Sequence, residues 1–99
     1  MEHGSDSSQT AIQRAIELAK LRLRTESGEA LKLRLRAKLS QRDVAEAVGV
    51  SLATICRWER GNRRPCGPRA LAYSRLLAEL RDLLDRQDQD RNQHGEPSV

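Results

Sequence analysis

Apolar residues recur along this chain mostly at helical spacing, and the breaks between the runs are marked by Gly, Ser and Pro. In TAIQRAIELAKLRLR, Ile12, Ala15, Ile16, Ala19 and Leu23 fall three or four residues apart, which predicts a helix over 10–24. Thr10, with Gln13 three residues on, resembles a capping box at its start. TESG then interrupts the pattern. The next run, EALKLRLRAKLS, alternates apolar and polar residues as a half-buried strand would. Its Ala, Leu, Lys and Arg content and its lack of β-branched residues favour a helix instead. On a helical wheel Ala30, Leu33, Arg34 and Ala37 share one face and Leu31 and Leu35 another, so two apolar contacts and an inward arginine are expected.

Two short helices follow. Ser40 begins the first, with Asp43 near its positive end, and Val44, Ala45 and Val48 form the inner face. Gly49 stops it where a left-handed residue is required. Ser51 caps the second, which runs to Arg60 and closes at Gly61. NRRPCGP reads as a basic loop, and Pro68 suits the first turn of a last helix. Leu71, Leu76, Leu77, Leu80, Leu83 and Leu84 give that helix a broad apolar stripe through about residue 86. The polar ends, 1–9 and 88–99, are expected to be disordered, which leaves one all-α domain over 10–87.

Composition narrows this picture. A chain of 99 residues with one Trp, one Tyr and no Phe must build its core from Leu, Ile, Val and Ala. A domain of this size buries only about 60–65% of its unfolded surface. The net charge of +4 is concentrated in the middle: residues 27–66 carry nine basic and four acidic side chains, whereas 1–26 balance and 67–99 are slightly acidic. The basic residues therefore cluster around the two short helices, as an electrostatic footprint for nucleic acid would. Cys56 and Cys66 form no CxxC pair, and His3 and His94 lie at no ligand spacing, so neither a metal site nor a disulfide framework is expected. Isolated thiols, no signal-peptide core and no apolar run near the ~20 residues of a membrane span point to a cytoplasmic protein with no membrane contact. No catalytic grouping or Gly-rich phosphate loop stands out. The expectation is a non-enzyme that needs no cofactor.

The segment 40–61, SQRDVAEAVGVSLATICRWERG, resembles the helix-turn-helix of the lambda-repressor and Cro-like DNA-binding regulators. The matching positions are Gln41, Val44, Ala45, Val48, Gly49, Val50, Ile55, Trp58, Glu59 and Gly61. Ala45 is small where the second helix crosses, Gly49 makes the short turn, and the apolar residues fix the crossing. The resemblance extends from the helix at 31–39 to Pro65. It implies a lambda-repressor-like helix-turn-helix bundle, here with an added N-terminal helix and one long C-terminal helix.

By the same resemblance, Leu52, Ala53 and Arg57 occupy the principal base-reading positions of a helix laid in the major groove of double-stranded DNA. Gln41, Arg42, Ser51, Thr54, Arg60, Asn62, Arg63 and Arg64 are expected on the DNA backbone, where contacts position the protein without reading sequence. The family pairs an arginine with a glutamate at the positions of Arg34 and Glu59. Glu59 lies about 40° from inward-facing Ile55 on the wheel, so a structural salt bridge between them is expected. Leu80, Leu83 and Leu84 extend beyond what so small a core covers and are expected to form a homodimer contact. The implied function is a phage- or prophage-type repressor acting as a dimer on an operator. An alternative is the antitoxin of a toxin–antitoxin pair, with helix 10–24 or the acidic C-terminal part clamping a toxin. Trp58 is expected in the core, and Cys56 as a filler beside the groove.

Overall fold

The computed structural model describes residues 3–95, and the side chains of 9–90. Five helices follow in order: α1 (His3–Ser27), α2 (Glu29–Arg36), α3 (Gln41–Val48), α4 (Leu52–Arg60) and α5 (Gly67–Gly95), with no strand among the described residues. The alternating run is thus a helix. Local termination sets the short elements. Gly28, Gly49 and Gly61 adopt left-handed φ of 88°, 86° and 75°, a region in which a side chain would be strained. Ser40 caps α3 by accepting from the Asp43 N–H, and Asp43 Oδ2 accepts from the Ser40 N–H, a reciprocal capping box.

The long helices exceed their expected ranges. α1 starts at His3 rather than at residue 10, so Thr10 lies inside the helix and begins nothing. The segment TESG also stays helical up to Ser27, and Gly28 alone breaks the chain. α5 runs to Gly95. Of the ends expected to be disordered, 1–2 and 96–99 lie outside the described residues, whereas the backbone of 3–9 belongs to α1 and that of 88–95 to α5.

One core joins all five helices. It is built from Leu21 of α1, Ala30 and Leu33 of α2, Val44, Ala45 and Val48 of α3, Ile55 and Trp58 of α4, and Ala70, Tyr73, Leu77, Leu80 and Leu84 of α5. The α5 residues recur at intervals of three and four, a single narrow seam. Trp58 stacks on Tyr73 with ring centroids 5.4 Å apart, tying α4 to α5. Two expectations fail here. Leu80 and Leu84 are 8% and 9% exposed and belong to this core, so of the three leucines assigned to a dimer contact only Leu83, 46% exposed, reaches the surface. The face Ile12, Ala15, Ile16, Ala19 and Leu23 points outward, and α1 packs through Leu18, Leu21 and Thr25. Likewise Leu31 and Leu35 are exposed, so α2 has one apolar contact rather than two.

A charged cluster sits within the core. Arg34 Nε donates to Glu59 Oε2 and Nη2 to Oε1 at 3.1 Å, while Nη1 donates to the Leu39 carbonyl at 2.9 Å. Gln41 Nε2 adds a bond to Glu59 Oε1 at 2.9 Å. The Glu59 side chain is 3% exposed and that of Arg34 11%. Burial raises the Tyr73 phenol above its ordinary range; the Glu59 carboxylate adds to this, and the Arg34 guanidinium opposes it. The Tyr73 hydroxyl has no hydrogen-bond partner among the described residues.

Arg34→Ala leaves Glu59 buried without its counter-charge and should cost about 3–5 kcal/mol in a denaturant titration, whereas replacing both residues with Met should cost markedly less. An unchanged midpoint for the single variant would show that the pair contributes nothing. Tyr73→Phe removes a buried hydroxyl with no protein partner and should leave the melting temperature unchanged or higher. A clear loss of stability would mean that the hydroxyl is bonded in solution.

Candidate nucleic-acid interface

The surface over residues 40–64 is set by how α3 holds α4. Three residues, Gly49 to Ser51, separate the two helices. The N–H groups of Gly49 and Val50 both donate to the Ala45 carbonyl, at 2.8 and 3.1 Å, and this closes α3. Ser51 then caps α4, its hydroxyl accepting from the Thr54 N–H at 3.1 Å and lying 3.0 Å from the Thr54 hydroxyl. Because α4 turns Ile55, Trp58 and Glu59 inward, its opposite side is left to solvent.

Leu52, Ala53, Arg57 and Arg60 are all exposed, with Thr54 and Cys56 half-buried at the flanks. The outer face thus combines exposed Leu52 and the short Ala53 near the N-terminus with two arginines in the last turn, where the negative end of the helix dipole favours them. Such a face permits close approach of the helix and carries long donors farther along it. Arg42, Ser51, Asn62, Arg63 and Arg64 are exposed around it. Gln41 differs from the other predicted backbone contacts. Its amide is half-buried and commits one N–H to Glu59, leaving the second for another acceptor.

Two basic residues that the sequence reading passed over adjoin this surface. Arg22, on α1, donates from Nε to the Pro65 carbonyl at 3.1 Å and shares a shallow concavity of about 250 Å³ with Arg63, Arg64, Glu26 and Gly61. Arg69, on α5, lies over the turn: a Cβ placed on Gly49 would meet its Nη1 at 3.0 Å. Neither belongs to the helix-turn-helix segment, and each arrives by long-range packing, so no local signal marked them.

No group of three or more His, Cys, Asp or Glu side chains able to hold a metal occurs among the described residues. Cys56 and Cys66 are free thiols. No described helix is long and apolar enough to cross a membrane. A concavity of about 560 Å³ between α1 and α5 is lined by charges of both signs and holds none of the predicted site residues.

Comparison with known protein families gives a match to the helix-turn-helix family over residues 31–83, more than half of the chain. The protein belongs to the Cro/C1-type helix-turn-helix family. It is therefore a DNA-binding transcriptional regulator. The match runs from Leu31, inside α2, through α3 and α4 to Leu83 of α5, and it leaves α1 outside. No curated protein and no solved structure gives a match.

The capping box makes stability depend on acid. The backbone N–H and then the hydroxyl of Ser40 hold the Asp43 carboxyl below its usual value of 3.8. The folded protein therefore favours the ionised form. This contribution is complete above the unfolded value and is lost as pH falls through the lower folded one. Asp43→Asn should flatten the decline of melting temperature between about pH 5 and about pH 2. An identical decline in the variant would show that the box contributes nothing to acid sensitivity.

Proposed function

We propose that this regulator is a phage- or prophage-type repressor that reads its operator with the outer face of α4 and acts as a dimer by occupying the site. The observation that carries the reading is the placing of Leu52, Ala53 and Arg57 together on the solvent face of a helix whose inner face is locked into the core. In a major groove, the Arg57 guanidinium is suited to donate two hydrogen bonds to a guanine edge, worth about 1–3 kcal/mol of discrimination. Leu52 and Ala53 have no side-chain donor and favour the methyl group of thymine. Arg42, Ser51, Thr54, Arg60, Asn62, Arg63 and Arg64 supply phosphate contacts, and Gln41 adds one through its uncommitted N–H. These set register and add a salt-dependent term that is blind to sequence.

Dimer action follows from the size of the reader. One such helix spans only a few base pairs, and two copies related by a two-fold axis read a palindromic site. Repression then needs no ligand-binding domain: a dimer seated on an operator excludes other proteins from the same duplex. The proposed place of action is the cytoplasm.

Selection of bound duplexes from a random pool, with wild type and Arg57→Ala at near-physiological salt, tests this directly. Wild type should enrich a two-fold symmetric site, and the variant should lose discrimination at one guanine in each half-site. Equal enrichment by both proteins would remove Arg57 from base reading. If no sequence is enriched and weak binding disappears with rising salt, the specific-repressor reading is wrong.

A further inference from the structure

We infer that α1 adds a contact of its own to the nucleic-acid surface: Arg22, together with Arg63 and Arg64, cradles a backbone phosphate of the bound duplex beside the groove that α4 enters. The inference rests on the DNA reading above and extends it to a helix that lies outside the family match.

Long-range packing builds the cradle. Pro65 is fully buried and anchors the loop that leaves α4. Its carbonyl accepts from Arg22 Nε at 3.1 Å, across 43 residues of sequence, so α1 and the loop meet at a fixed point. Arg22 is half-buried, whereas Arg63 and Arg64 are exposed, and all three line one concavity of about 250 Å³ with Thr25, Glu26 and Gly61. A guanidinium has five N–H donors. Arg22 spends one on Pro65, and the other four meet no acceptor among the described residues. Its two terminal nitrogens remain as a fork of the kind that matches two phosphate oxygens. Because the side chain is already held in place, binding costs it little conformational entropy.

The charge around the concavity is unbalanced. Three arginines stand against one carboxylate, that of Glu26, and none of the four takes part in an ion pair among the described residues. Arginines elsewhere on the helices do find partners: Arg24 and Arg81 share Glu29, Arg36 meets Asp88, and Arg75 meets Glu79. A phosphate supplies the counter-charge that this corner lacks. The end of α4, which borders the concavity at Gly61, opposes an anion only weakly, because its Arg57 and Trp58 carbonyls accept from the Asn62 and Gly61 N–H groups. The position also fits. Phosphates line both walls of a groove, so the end of a helix lying in that groove comes close to the backbone.

The test is binding of the full chain, followed by fluorescence anisotropy between about 50 and about 200 mM salt, to two duplexes: the selected palindrome and an unrelated sequence. Arg22→Met should weaken both by a similar factor, roughly threefold to tenfold per protomer, and lower the salt slope by about one per protomer bound. Arg22→Lys keeps a cation for the phosphate but lacks the Nε that bonds Pro65, and should retain most of the slope. Glu26→Lys adds positive charge to the rim and should tighten binding to both duplexes. Arg14→Gln changes an exposed α1 arginine that lines the separate α1–α5 concavity, and should leave the slope nearly unchanged.

An unchanged slope in Arg22→Met overturns the proposal. So does an Arg22→Lys as impaired as Arg22→Met, which would reduce Arg22 to holding the loop, and so does a Glu26→Lys that tightens neither complex. If the slope is unchanged while millimolar inorganic phosphate raises the melting temperature of wild type but not of Arg22→Met, the concavity holds a free anion and the DNA contact is wrong. If no palindrome is selected and the unrelated duplex still shows the expected changes, the operator reading fails and the α1 contact stands.

Discussion

The buried ion pair between Arg34 and Glu59 governs the geometry on which the rest depends. Two charges this deep are tolerated only when each is neutralised and bonded, and the remaining valences here go to the Leu39 carbonyl and the Gln41 amide. The cluster consequently constrains α2, the segment leading out of it, α3 and α4 at once. It also sets the rotation of α4 about its own axis. Glu59 must face Arg34, so Arg57 and Ala53 must face solvent. The pair within the core therefore also fixes which side chains α4 leaves to solvent.

Packing has divided the apolar surface of the long helices more sharply than composition suggests. α5 carries enough leucine for a broad stripe, but the core takes the single seam through Ala70, Tyr73, Leu77, Leu80 and Leu84, while Leu71 and Leu76 remain half-buried. α1 supplies the complementary cover, with Leu21 fully buried and Ser74 of α5 bonded to the Glu17 side chain at 3.1 Å. Because α1 lies outside the family match, the helix-turn-helix core carries a segment of its own that closes one flank and leaves an apolar ridge on the other.

Much of this was legible in the residues themselves. The capping residues Ser40 and Ser51, the glycines at 49 and 61, and the periodicity of Val44, Ala45, Val48, Ile55 and Trp58 are local signals, and the helices formed where these signals lay. The ends of α1 and α5 were harder to read. A polar sequence neither demands nor forbids helix, and continuation from a packed helix decided the matter for 3–9 and 88–95. Arg22 and Arg69 escaped notice because their place beside the basic surface comes from contacts 43 residues apart for Arg22 and from folding α5 across the turn for Arg69.

By itself, the sequence determined the helical class, the breaks that separate the short helices, the inward residues of α3 and α4, and the family to which the motif belongs. These depend on spacing and on backbone chemistry within a few residues. Only the tertiary structure decided which of two apolar faces of α1 points inward, and that Leu80 and Leu84 lie in the core rather than on the surface. Periodicity records that a helix has an apolar face, but the partner for that face comes from a distant part of the chain. Ile12 and Leu21 are equally apolar on paper, and only the packing of α1 on α2, α4 and α5 buries one and exposes the other.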